Sequence, residues 1–192
     1  MKETMTHIKI NGDYTLKSSR IEILYPTINH LNSYQNIRKI GLPTRKISPL
    51  WKLKNDLFLT EEKKKYFKIS SQNRCQKCQK VDTAGHFLLC TKNETSKMYD
   101  GFIEYCKKVD PQLSAIKLLH MDLCGEVDVV YAIGWVLSTL VEVHYTKKIC
   151  KNMSEGDQIK ITLTNDVTTF KSITSKKYDK TVSLIHLLLQ VS

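Results

Sequence analysis

In the stretch NRCQKCQKVDTAGHFLLCTKN, residues 73–93, the side chains of Cys75, Cys78, His86 and Cys90 form a Cys-x2-Cys-x7-His-x3-Cys array. Three thiolates and one imidazole make a complete tetrahedral donor set for zinc. A Cys-x2-Cys turn lets two sulfurs converge from one tight loop. His86 and Cys90, four residues apart, share a face if HFLLC is helical. Phe87, Leu88 and Leu89, between the last two ligands, are apolar and suited to packing the site against a neighbouring helix. With four protein ligands no coordination position remains for water, so the expected ion is one structural Zn2+ and not a catalytic one. A lone Cys-x-x-Cys also suits a redox pair in a βαβ unit, or no chemistry at all. Here no strand pattern precedes it, and a His and a Cys follow at ligand spacing. Binding free energy at such a site is also folding free energy, so loss of the ion is expected to unfold the helices around it.

A chain of 192 residues with 41% hydrophobic content can bury a real core, as one domain or one domain plus an appendage. Residues 1–13, MKETMTHIKINGD, are polar and lack the apolar run of a secretory signal. The six cysteines therefore read as reduced thiols and not as a disulfide framework, and the expected location is nuclear or cytoplasmic, not secreted. The net charge of +11 is lopsided: residues 1–100 hold 19 basic and 9 acidic side chains, residues 101–192 hold 11 and 10. The basic half is the one that ends in the Cys/His segment, which points to a polyanion. A lysine-rich solvated surface is the plain alternative.

Upstream of the array, residues 1–28 carry only short mixed runs, such as HIKI and RIEIL, that suit edge strands or an extended arm. From Asn29, an N-cap, Leu31, Tyr34, Ile37 and Ile40 recur at helical spacing until Gly41 and Pro43. Ser48 and Pro49 predict the start of a second helix carrying Leu50, Trp51, Leu53, Lys54, Leu57 and Phe58. Thr60, followed by Glu61 and Glu62, caps a third, with Lys63, Lys64, Lys65 and Lys68. Those lysines are candidate phosphate contacts together with Arg74, Lys77 and Lys80. Equally, they are the wet face of a helix whose Tyr66, Phe67 and Ile69 point inward.

The run WKLKNDLFLTEEKKKYFKISSQNRCQKCQKVDTAGHFLLC resembles the zinc-binding region that follows the reverse transcriptase domain in non-LTR (LINE-type) retrotransposon polyproteins. Trp51, Thr60, Cys75, Cys78, His86, Leu88 and Cys90 occupy the matching positions. The resemblance covers about residues 20–150, with only the Cys-Cys-His-Cys knuckle motif-specific. Gly85 stands where the family commonly has an acidic residue before the His, and Gly41-Leu42-Pro43 interrupts the upstream part. No Tyr-x-Asp-Asp or Ala-Asp-Asp polymerase signature and no nuclease-like carboxylate cluster is present in the sequence. The resemblance implies the tail of such a polyprotein, or a domesticated fragment of one, without its enzymes.

Beyond Cys90, Met98, Phe102, Ile103, Cys106 and Val109 form a helical stripe ended by Asp110-Pro111, and a short helix is expected over 111–120. Cys106, Cys124 and Cys150 lack ligand spacing and read as buried or idle thiols; His120 and His144 read as structural histidines. Residues 127–143, VDVVYAIGWVLSTLVEV, are the most hydrophobic segment, too short and interrupted for a membrane span and suited to a central core helix or an oligomer interface. Lys147, Lys148 and Lys151 suit the negative end of that helix. From Asn152 the character changes: Ile159, Ile161 and Leu163 alternate as in a strand, and an apolar helix follows over 181–190.

The expected fold is mainly α: a small helical domain built around the zinc knuckle, residues 29–150, with an arm over 1–28 and a short α+β C-terminal extension over 151–192. The expected function is non-catalytic, a zinc-stabilised module binding RNA or DNA through Lys63, Lys64, Lys65, Lys68, Arg74, Lys77 and Lys80, with Tyr66 as a stacking candidate set against its burial. The other class is a protein-interaction or self-association module acting through residues 127–143 or the terminal helix, with no membrane partner. An enzyme is not expected, because no nucleophile, base and orienting group can be picked out by spacing.

Overall fold

The structure is a computed structural model describing residues 7–10, 13–16, 26–93, 95–146, 153–170 and 176–191. Among these residues the chain forms a short antiparallel hairpin, β1 (His7–Ile10) and β2 (Asp13–Leu16), with His7 opposite Leu16 and Ile10 opposite Asp13. Helices follow: α1 (His30–Lys39), α2 (Thr44–Lys54), α3 (Glu61–Tyr66), α4 (His86–Leu89), α5 (Ser96–Val109), α6 (Ala115–Leu119), α7 (Val127–Thr146), α8 (Glu155–Phe170) and α9 (Lys176–Val191). The run RIEIL and Lys147, Lys148, Cys150 and Lys151 lie outside the described residues.

The molecule is organised around α7. Its apolar side chains run almost all round the helix, so it needs neighbours on several sides. It packs most extensively against α9, then α2, then α8, while α9 also touches α8 and α5. From Val129 to Val143 only Glu142 escapes burial, and Ala132, Val136, Leu137, Leu140 and Val141 are fully enclosed. At 20 residues α7 is longer than the sequence reading allowed, and by length and composition it could cross a membrane. Here protein covers its apolar side chains from Val129 to Val143, while Val127 at its start is exposed. Gly134 lets the 40–42 segment approach α7: a Cβ there would lie 3.1 Å from Ile40 Cδ1 and 3.2 Å from Leu42 Cδ1.

The expected C-terminal strand is not present. Ile159 and Leu163 are buried and Ile161 is exposed, on one helix, α8, whose inner face continues through Asp166, Val167 and Phe170. A period-two reading and a helical one share positions 159 and 163, and the later residues decide for the helix. In α9, Leu184, Ile185 and Leu188 point inward. One cluster of buried side chains joins α8 and α9 to α1, α2, α4, α5 and α7.

A second correction concerns α2. It begins at Thr44 behind Pro43, about one turn before Ser48, so Pro49 stands inside the helix and not in its first turn. The earlier start carries Lys46 into the core. Its Nζ donates to Thr139 Oγ1 and lies 3.3 Å from Asp166 Oδ2, while Trp135 Nε1 donates to the same carboxylate oxygen at 2.7 Å. The ammonium also sits 4.9 Å from the centre of the Trp135 ring. Burial lowers the lysine's pKa and Asp166 opposes that shift. This buried polar group joins α2, α7 and α8, because Lys46, Trp135, Thr139 and Asp166 satisfy one another across the three helices.

The caps at Asn29 and Thr60 form as the sequence reading expects. The Asn29 side chain accepts from Asn32 N–H, and Thr60 from Lys63 N–H. α1 is held by polar contacts as much as by Ile37: Asn36 Nδ2 donates to the Met121 and Leu123 carbonyls, Ser33 Oγ to His120 O, and Asn32 Nδ2 to Asp122 Oδ1. Its Leu31 is exposed.

Candidate metal centre

Residues 73–82 form a turn closed like a miniature hairpin. Arg74 bridges Val81, Cys75 N–H donates to Lys80 O at 2.8 Å, and Asp82 N–H to Asn73 O at 3.0 Å. Gln79 closes the turn with φ of 64°, the left-handed region, and its N–H returns to Cys75 O at 2.9 Å. This geometry points Cys75 and Cys78 to one place. One turn of helix, α4, then supplies His86, and Cys90 follows at its end.

The ligand atoms of Cys75, Cys78, His86 and Cys90 all lie within 4.8 Å of one another, so the set could hold one metal ion. Cys75 Sγ and Cys90 Sγ are 3.9 Å apart, and Cys78 Sγ lies 3.1 Å from His86 Nε2. A tetrahedral zinc with Zn–S bonds of about 2.3 Å places its sulfurs roughly 3.8 Å apart, which the Cys75–Cys90 pair matches. The Lys80 backbone N–H donates to Cys78 and lowers its thiol pKa. Burial pushes the Cys90 thiol up and the His86 imidazole down, the second keeping that ring neutral as a ligand must be.

The centre is seated on the C-terminal end of α7 by aromatic rings. Phe87 stacks on His144 at 4.8 Å and meets Tyr99 and Tyr145 edge-on, each at 5.7 Å. Tyr145 stacks in turn on Phe58 at 4.0 Å, and its hydroxyl donates to Ala84 O at 2.6 Å. His144 Nδ1 lies 2.9 Å from Glu155 Oε1, which also accepts from Tyr99 OH at 2.8 Å, so α5, α7 and α8 all reach the back of the site. A Cβ on Gly85 would lie 2.1 Å from Leu119 Cδ1, so packing against α6 gives a reason for the absence of a side chain there.

The centre also holds α3. Asp82 Oδ2 accepts from Glu61 N–H at 3.1 Å, and Asp82 O from Glu62 N–H at 3.4 Å. Among the predicted cations, Lys63 pairs with Asp56 at 3.1 Å and Lys64 with Glu61 at 2.7 Å. Lys77 donates to Asn93 Oδ1 and Arg74 to Gln79 O, both at 2.8 Å. Lys65, Lys68, Arg74, Lys77 and Lys80 are exposed. The inward orientation offered for Tyr66, Phe67 and Ile69 does not occur; they are 71%, 59% and 66% exposed, because α3 ends before it can lay a second turn on the core. Cys106 is buried and Cys124 exposed, and among the described residues neither joins a group able to hold a metal.

Asp82, Tyr145 and Glu155 escaped the sequence reading. A lone acid before a helix, a tyrosine at a helix end and an acid in the first turn of α8 carry no motif; only the folded chain brings them to the site. Compared with known protein families, with curated proteins and with solved structures, the chain matches none.

Proposed function

We propose that this chain is a non-catalytic, zinc-stabilised nucleic-acid-binding module derived from a non-LTR retrotransposon, contacting RNA or DNA backbones through its basic N-terminal half. The observation that carries the proposal is the convergence of Cys75, Cys78, His86 and Cys90 on one point, with Asp82 tying the lysine-rich α3 to the same knuckle. Zinc is the ion this donor set favours: three thiolates and one imidazole, with nothing left open for a substrate. The retrotransposon origin rests on the sequence resemblance of residues 20–150. The alternative, a protein-interaction module working through residues 127–143 or the terminal helix, has less support, because those helices spend most of their apolar side chains on one another and on α2 and α8.

The test measures metal and nucleic acid on the same preparation. Native protein should carry one zinc per chain, and Cys78→Ser should lose it. With five exposed cations contributing, affinity for a single strand should fall roughly a hundredfold between 50 and 200 mM salt. Protein without stoichiometric zinc, or binding indifferent to salt, overturns the proposal.

A further inference from the structure

The end of α3 puts apolar rings in water. Tyr66 is 71% exposed and Phe67 59%, and their rings meet edge-on with centroids 5.3 Å apart. They are not on a floppy tail. Phe67 N–H returns to Lys63 O at 2.8 Å, Ile69 N–H to Lys64 O at 2.8 Å and Ser70 N–H to Lys64 O at 3.2 Å. Lys68 takes the left-handed conformation, φ 59°, that such a helix stop requires. The other end of α3 is pinned by the Thr60 cap and by Asp82. Two aromatic side chains are thus presented on a closed turn at a fixed distance from the knuckle.

Their neighbours are cations. Lys65 and Lys68 are exposed and form no ion pair among the described residues, whereas the acids Asp56 and Glu61 are engaged by Lys63 and Lys64, leaving Glu62 as the exposed acid of this helix. A surface with flat π-faces and flanking ammonium groups matches a polymer that offers flat bases and phosphates together. A duplex hides its bases in the stack; a single strand can splay them onto rings.

We infer that Tyr66 and Phe67 are a base-stacking platform for single-stranded nucleic acid, with Lys65 and Lys68 taking the adjoining phosphates. This rests on the nucleic-acid reading above and narrows it to a strand type and to named residues. The stacking gives affinity without sequence preference, since every base has a π-face.

The experiment uses the full-length, metal-loaded chain, with fluorescein-labelled 12-nucleotide oligo(U), oligo(dT) and a 12-base-pair duplex in anisotropy titrations at 50 mM salt. Tyr66→Ala/Phe67→Ala should weaken single-strand binding about ten- to a hundredfold, and leave duplex binding and thermal melting unchanged, as both residues face water. Tyr66→Trp/Phe67→Trp should restore the single-strand affinity. Single-strand affinity unaltered by the alanine pair overturns this inference and leaves the broader nucleic-acid reading standing. Absence of binding to all three probes overturns both. If the alanine pair instead turns an oligomer into a monomer with nucleic-acid binding unchanged, the rings cover a second copy of the chain and the inference falls.

Discussion

At the scale of single residues the most informative side chain away from the Cys/His cluster is His120. It is buried beside His30, with ring centroids 6.1 Å apart, and burial first, then the nearby Lys54 and His30, lowers its pKa from 6.5 to about 4. The folded state thus resists a proton that the unfolded chain accepts. The corresponding stability is complete above about 6.5 and drains away as pH falls toward 4. Between pH 7.5 and 5 the loss should be about 2 kcal/mol in urea unfolding. His120→Gln should remove that part of the slope; equal slopes in parent and variant would rule the assignment out, and comparing the two cancels any proton-driven release of metal. Glu155 does not confuse the window. Its burial raises its pKa, but hydrogen bonds from His144 and Tyr99 and the charge of His144 outweigh this and hold it near 2. None of this was readable in the sequence, where His120 is one polar letter after an apolar run. The convergence of Cys75, Cys78, His86 and Cys90 was readable, because their spacing is local and their chemistry leaves few alternatives.

At the scale of elements, legibility followed the range of the forces. The caps at Asn29 and Thr60 and the stop at Asp110 are decided within a turn of chain, and they stand where the sequence placed them. The start of α2 was misplaced because Ser48-Pro49 imitates a helix entry, whereas the helix starts at Thr44 behind Pro43 and so places Lys46 beside Asp166. Period two and period 3.6 could not be separated over Ile159, Ile161 and Leu163 alone. The same Lys46 gives a test of what joins α2, α7 and α8. Lys46→Met should cost about 3 kcal/mol, since Asp166 stays buried with its charge uncompensated. The double variant Lys46→Met/Asp166→Leu should recover most of that loss in a double-mutant cycle by urea unfolding. Additive single costs would mean that the ion pair is not what couples the helices.

At the scale of the whole molecule two systems of support are visible. One is the knuckle of residues 75–90, whose ligands all come from within 16 residues. The other is the core, which is complete only when Ile159, Leu163, Leu184, Ile185 and Leu188 have closed on α7. Ending the chain after Asn152 removes α8 and α9 and lays bare the sides of α7 that they cover. That truncated chain should lose its cooperative melt and aggregate, yet still give the thiolate-to-cobalt absorption of a Cys3His set when titrated with Co2+ in mild denaturant. A truncated chain that melts cooperatively would show the last two helices to be dispensable. The basic half, the knuckle and the central apolar helix were all visible as sequence patterns; that the tail belongs to the same core was not, because composition says nothing about which apolar face meets which. The seating of so local a knuckle at one end of so non-local a core bears on the order of events during synthesis. Closing a short loop on an ion costs little chain entropy and needs nothing beyond Cys90, whereas the core waits for Leu184, Ile185 and Leu188 of α9 to leave the ribosome. A nascent chain of this protein can therefore bring Cys75, Cys78, His86 and Cys90 together while the helices that will surround them are still being made, and Phe87 is already presented when His144 arrives to stack on it.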